Sequence, residues 1–156
     1  MAYCAKKYVH HLHHIGFVVQ DLDRSVDFYT RILGFDLRDR WAEGPEKVEM
    51  GLCVPGAALE LAQLQGYGIT MELMQYKSAP GHTGPIAQNR VGLGHISLIV
   101  EHFDDFLEQM QQLGVPIASP VTKLTYGQWV HIVDPDGIHI EVMGLLVDGP
   151  LDGKFS

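Results

Sequence analysis

Two segments of this chain share one plan, and that repeat constrains the fold more than any other feature. His14-Ile15-Gly16-Phe17-Val18-Val19 is followed by Asp21 and a helical pattern that stops at Leu33-Gly34. His95-Ile96-Ser97-Leu98-Ile99-Val100 is followed by an acidic stretch and a helical pattern that stops at Leu113-Gly114. The same offset of 81 positions (95 − 14) pairs Leu22 with Phe103, Val26 with Leu107, Tyr29 with Met110 and Ile32 with Leu113. Each copy is one supersecondary unit with an apolar face to cover, so the chain reads as a tandem of two related halves.

Local patterns fill in each half. From His14 the residues alternate, with His14, Gly16 and Val18 on one face of a strand and Ile15, Phe17 and Val19 on the other. Apolar positions 22, 26, 29 and 33 follow the helical period, with acidic residues at the start and Gly34 at the stop. Phe35 to Trp41 reads as a second strand, and Pro45 opens a short helix that ends by Gly51. Ala58 to Leu64 and Ile69 to Tyr76 form a hairpin across Gly66-Tyr67-Gly68. The second half repeats the order: strand His95–Val100, helix Phe103–Leu113, short strand Val115–Ala118. A hairpin of Gln128–Val133 and Ile138–Met143 then closes around Asp134-Pro135-Asp136-Gly137. This organisation gives a single domain over 1–156. It holds a first βαβββ module at 13–76, a Gly/Pro-rich linker at 77–92, a second module at 93–143 and a tail at 144–156.

At 156 residues, 46% apolar and 19% charged, the chain is long and apolar enough for a real core. A net charge of -8 without a Lys/Arg cluster argues against a nucleic-acid partner and against an anionic membrane surface. The two cysteines form no CxxC motif, so neither a disulfide framework nor a zinc ribbon is expected. No run has the length of a signal peptide core or a membrane span, which makes the cytoplasm the expected location.

Four polar residues occupy matched places. His14 and His95 each open the first strand of a half, and Glu72 and Glu141 each lie inside the last one. A carboxylate within an apolar strand is costly to bury unless a cation pairs it, and neither predicted strand carries Lys or Arg. Two imidazoles and two carboxylates form an ordinary donor set for a divalent metal, which would supply that charge. A single histidine at a strand start is more often structural, and a single strand glutamate is more often solvated. The coincidence of all four at matched places favours ligands. By contrast His10, His11, His82 and His102 read as exposed or structural, His131 and His139 as strand residues of open role, and Glu60 as a surface residue.

The repeat together with His14-Ile15-Gly16, Asp27-Phe28-Tyr29-Thr30-Arg31-Ile32-Leu33-Gly34, Gly94-His95-Ile96 and Asp134-Pro135-Asp136-Gly137…Ile140-Glu141 resembles the vicinal oxygen chelate superfamily over residues 13–143. That resemblance implies an α+β fold of two tandem βαβββ modules with curved mixed sheets forming a metal-centred cleft. The order His, Glu, His, Glu is similar to glyoxalase I and to methylmalonyl-CoA epimerase. It implies one divalent ion (nickel, zinc, cobalt, manganese or iron) on His14, Glu72, His95 and Glu141, and a homodimer. It further implies a small-molecule substrate from which Glu72 or Glu141 moves a proton beside a carbonyl, through a metal-stabilised enediolate or enolate. Arg31, and more loosely Arg90, fall where glyoxalase I uses arginines on its substrate. After Glu72 the chain reads Leu73-Met74-Gln75-Tyr76-Lys77, without the asparagine that glyoxalase I uses on glutathione. Two other outcomes of the same fold are an extradiol-type ring-cleaving dioxygenase and a metal-free binder of small molecules or antibiotics.

Overall fold

The computed structural model describes residues 8–84 and 87–145, which divide into two compact units between Thr83 and Gly84. In the first unit the order is β1 (Ile15–Val18), α1 (Leu22–Asp27), a π-helical turn (Phe28–Ile32), β2 (Asp36–Glu43), α2 (Pro45–Leu52), β3 (Ala58–Gly66) and β4 (Ile69–Ser78). In the second unit it is β5 (Ile96–Ile99), α3 (Phe103–Gln112), β6 (Thr122–Leu124), β7 (Gly127–Val133) and β8 (His139–Leu145). Each unit is a four-stranded mixed sheet of the same topology, β1-β4-β3-β2 and β5-β8-β7-β6. The first strand lies parallel to the last because a helix crosses between them, and the remaining strands pair antiparallel. The tandem βαβββ fold expected from the repeat is present.

The repeat extends to register. Gly16 pairs with Glu72 in the first sheet, and Ser97, 81 positions (97 − 16) further on, pairs with Glu141 in the second. One face of each sheet takes the apolar set. Leu22, Val26, Tyr29, Leu64, Met71 and Leu73 are buried where α1 packs on β3 and β4. Val130, Ile132, Ile140 and Val142 are fully buried in the second sheet, with Phe103 of α3 set against Gly144 on the same face. Burial of each such side chain contributes about 1.5–3 kcal/mol. Period-2 alternation then commits Glu72 and Glu141 to the opposite faces.

Local structure departs from the sequence expectation at four places. The helix expected from Asp21 to Leu33 is α-helical only through Asp27, and Phe28–Ile32 forms a π turn. The wider turn brings both Phe28 and Tyr29 into the core. Val115–Ala118 is not a ladder strand: Ile117 makes one bridge to Ile132, and the paired edge strand is Thr122–Leu124. Pro116 has no N–H to donate, although its carbonyl accepts from Val133 N at 3.0 Å. On β4, which runs two residues further than expected, Lys77 does lie on the Glu72 strand. Its Nζ pairs with Glu60 at 3.3 Å, leaving Glu72 to other partners. The expected tail begins inside β8, and its residues 146–156 lie outside the described ones. Among the described residues no helix is long and apolar enough to cross a membrane.

Candidate metal centre

Each sheet sets one histidine beside its glutamate. In the first module His14 stands one residue before β1, and its Nε2 lies 3.6 Å from Glu72 Oε1. In the second His95 stands one residue before β5, and its Nε2 lies 3.7 Å from Glu141 Oε2. These gaps are too long for N–H···O hydrogen bonds, which run to about 3.2 Å. They match the spacing of two donors on one ion, about 3.4 Å for tetrahedral bonds of about 2.1 Å. The glutamates are the more buried partners, 13% and 23% exposed at the side chain against 36% and 48% for the histidines. Nitrogen and carboxylate donors that converge, with the anions half-withdrawn from water, suit a borderline divalent cation.

A further histidine contacts the first of these. His13 Nδ1 and His14 Nδ1 are 2.7 Å apart, one donating and the other accepting according to tautomer. A metal-binding imidazole is commonly steered through its other nitrogen in this way. His13 lies beside His14 in a histidine-rich stretch ahead of β1. It can turn back here because residues 8–14 precede the ladder.

The faces around the two pairs differ. Gly16 leaves room for Met74, whose Cε would lie 3.0 Å from a Cβ placed there. Beyond it Met74 and Tyr76 join Trp41, Val48, Leu59 and Leu61 in an apolar cluster under α2. Among the described residues the second module has no counterpart of that helix and carries imidazoles instead. His131 packs edge-on against His95, Trp129 and His139, with ring centroids 5.6, 5.3 and 5.4 Å apart. One ligand atom from each of His95, His131 and Glu141 lies within 4.8 Å of the other two. Burial lowers the pKa of His131, reinforced by His139 and His95 and opposed by Glu141. His139 is lowered too, first by burial and then by His95, with Asp134 opposing. The neutral imidazole that results is the ligating form. His131 Nε2 and His139 Nδ1 are buried without a hydrogen-bond partner.

The arginines expected at the substrate are both exposed. Arg31 Nη1 bonds Asp27 Oδ1 at 3.2 Å on the helix surface, and Arg90 donates its backbone N–H to Ala87 O at 3.0 Å. No described contact joins either side chain to Glu72 or Glu141. His131 is the functional candidate whose role the sequence left open. Its one signal was the alternation that sets it across from Glu141, and that becomes visible only once the hairpin register is known.

Four matches to known proteins bear on this geometry. A lactoylglutathione lyase of Schizosaccharomyces pombe is 28% identical over 146 residues, covering 85% of this chain and 46% of its own length. The chain thus spans about half of that relative. A 2-epi-5-epi-valiolone epimerase of an Actinomyces species is 25% identical, covering 90% of this chain and 82% of its own. The crystal structure of a glyoxalase family protein from Bacillus cereus superposes with a TM-score of 0.78, covering 93% of this chain and all of that one, at 20% identity, a likeness of fold. The model of the Glyoxalase/Bleomycin resistance protein/Dioxygenase superfamily matches residues 11–142, and the chain, with its repeated modules and matched His/Glu pairs, belongs to that superfamily.

Proposed function

We propose that the protein is a divalent-metal-dependent isomerase or lyase that moves a proton on a carbon beside a carbonyl. One observation carries this reading: the same register in both modules sets a histidine nitrogen 3.6–3.7 Å from a half-buried glutamate oxygen. His14, Glu72, His95 and Glu141 are proposed as the ligands of one divalent ion. When bound, that ion would act as a Lewis acid on the substrate's carbonyl oxygen. Glu72 or Glu141 takes the proton and the other returns it, each held against a strand that fixes its approach. Low exposure of the carboxylates limits water's competition for the proton. His13 holds the His14 ring in one orientation. Arg31 and Arg90 are proposed as cationic contacts for an anionic part of the substrate. Relatives named as a lyase and as an epimerase support the reaction class, and a thiohemiacetal or an acyl thioester supplies the acidic carbon it requires.

Elemental analysis of the purified chain tests the ligand set, followed by a screen of thiohemiacetals and acyl thioesters in heavy water. His95→Ala is expected to lose the ion and His14→Ala to bind it much more weakly, while His10→Ala and His11→Ala keep it. Metal content equal to wild type in His95→Ala would sink the assignment.

A second reading has one observation in its favour. Two histidines and one carboxylate, as in His95, His131 and Glu141, form the donor set of ferrous oxygenases. Glu72 beside His14 weighs against it, since ring-cleaving relatives of this fold use no carboxylate ligand there. Oxygen consumption with catechols on the iron-loaded protein separates the two.

A further inference from the structure

The two sheets differ at the antiparallel register position across from each proposed glutamate. Gln63 stands opposite Glu72, whereas His131 stands opposite Glu141. Adjacent positions on antiparallel strands hold side chains about 5 Å apart at Cβ, close enough for both to reach one ion. Donors at about 2.1 Å from a common ion lie roughly 3–4 Å from one another, so a group already within 4.8 Å needs only small side-chain rotations. His131 also has a reason to accept such a role. Its Nε2 is shut away from solvent without a partner, a cost of about 1–3 kcal/mol that coordination would offset.

We propose that His131 is a third protein donor to the ion held by His95 and Glu141, so that the second module offers three donors and the first offers two. This rests on the reading of His95 and Glu141 as ligands. An added imidazole moves the set toward cobalt, nickel and zinc and away from manganese and magnesium, which prefer oxygen. It also makes the second module the stronger half of the site. Loss of His14 should weaken binding less than loss of His95.

The test is a cobalt(II) titration of the full, chelator-stripped chain, with wild type, His14→Ala, His95→Ala, His131→Phe and His131→Gln. His131→Phe should raise the cobalt Kd at least about 100-fold, beyond the roughly 10–100-fold that loss of an outer partner of a ligand costs. It should also change the visible ligand-field bands and narrow the preference for cobalt over manganese. His131→Gln, with a weaker amide donor, should fall between. A merely structural His131 would instead lower the melting temperature of the stripped protein and leave the cobalt bands as they are. Wild-type affinity and spectrum in His131→Phe, alongside loss of cobalt in His95→Ala, would remove His131 from the ligands and leave the rest standing. Wild-type binding in both would overturn the ligand reading itself. Should the Phe variant fail to fold, the Gln variant decides: an altered spectrum supports the assignment, and an unchanged spectrum with unchanged affinity rejects it.

Discussion

His131 on β7 stands directly opposite Glu141 on β8, at the place where the first module carries Gln63 opposite Glu72. The two modules share topology and register, so this exchange is a chemical difference on a common frame. The first module sets its His/Glu pair beside an apolar cluster; the second sets its pair beside further imidazoles.

Glutamine at either carboxylate tests the proton chemistry. Glu141→Gln keeps the shape and an oxygen donor but loses the charge and the ability to take a proton. Turnover is expected to fall by about two to four powers of ten, the usual worth of a positioned base. Metal content should fall less, and Glu72→Gln should follow the same pattern. Wild type should wash deuterium from heavy water into the substrate or product carbon, and the Gln variants should not. A Glu141→Gln protein that exchanges at the wild-type rate makes Glu141 a spectator.

Stability of the metal-stripped chain should depend on pH through His131 and His139. Both have folded pKa values below the ordinary 6.5, so near and below that pH the unfolded chain binds more protons than the folded one. Stability is therefore fully present above about pH 6.5 and is lost as pH falls through that value toward the lowered folded values. Thermal melts of stripped protein across this window should drop on acidification. Replacing both histidines by Phe should flatten the slope, and an equally steep slope would assign the loss to other groups.

Gly127 should resist any side chain. A Cβ there would run into the backbone carbonyl of Gly144 on β8, which cannot swing aside as a side chain can. Gly127→Ala is expected to cost about 1–3 kcal/mol in denaturant unfolding. At Gly16 the nearest atom is the flexible end of Met74, so Gly16→Ala should cost less. Since Gly127 begins the strand that sets His131 opposite Glu141, its variant should also weaken metal binding.

Asp134 holds the turn between those strands. It is 4% exposed, and its Oδ1 accepts from the N–H groups of Asp136 at 2.9 Å and Ile138 at 2.7 Å. Asp134→Ala strands two donors, one of them buried, at an expected loss of about 1.5–3 kcal/mol. Asp134→Asn keeps an acceptor oxygen and should lose less. Comparable unfolding free energies for the two would show that the carboxylate oxygen is not what holds the turn.

Much of this molecule was legible in the residues alone. The 81-residue offset and the two periodicities implied paired βαβββ modules, because an apolar face that must be buried leaves its period in the sequence. The same logic singled out His14, Glu72, His95 and Glu141, since a carboxylate amid strand hydrophobics is conspicuous. Tertiary structure alone decided the rest. Whether Phe28 as well as Tyr29 enters the core depends on a π turn that no local propensity announces. Whether Val115–Ala118 forms a ladder depends on which N–H groups Pro116 leaves available to β7. And His131 acquires its neighbours only from the β7–β8 register: a one-residue slip would carry it to the buried face, away from His95 and Glu141. Periodicity specifies which face a residue takes, but cross-strand neighbours are set by pairing between distant segments, and that pairing is decided by the packed core and the turn that closes it.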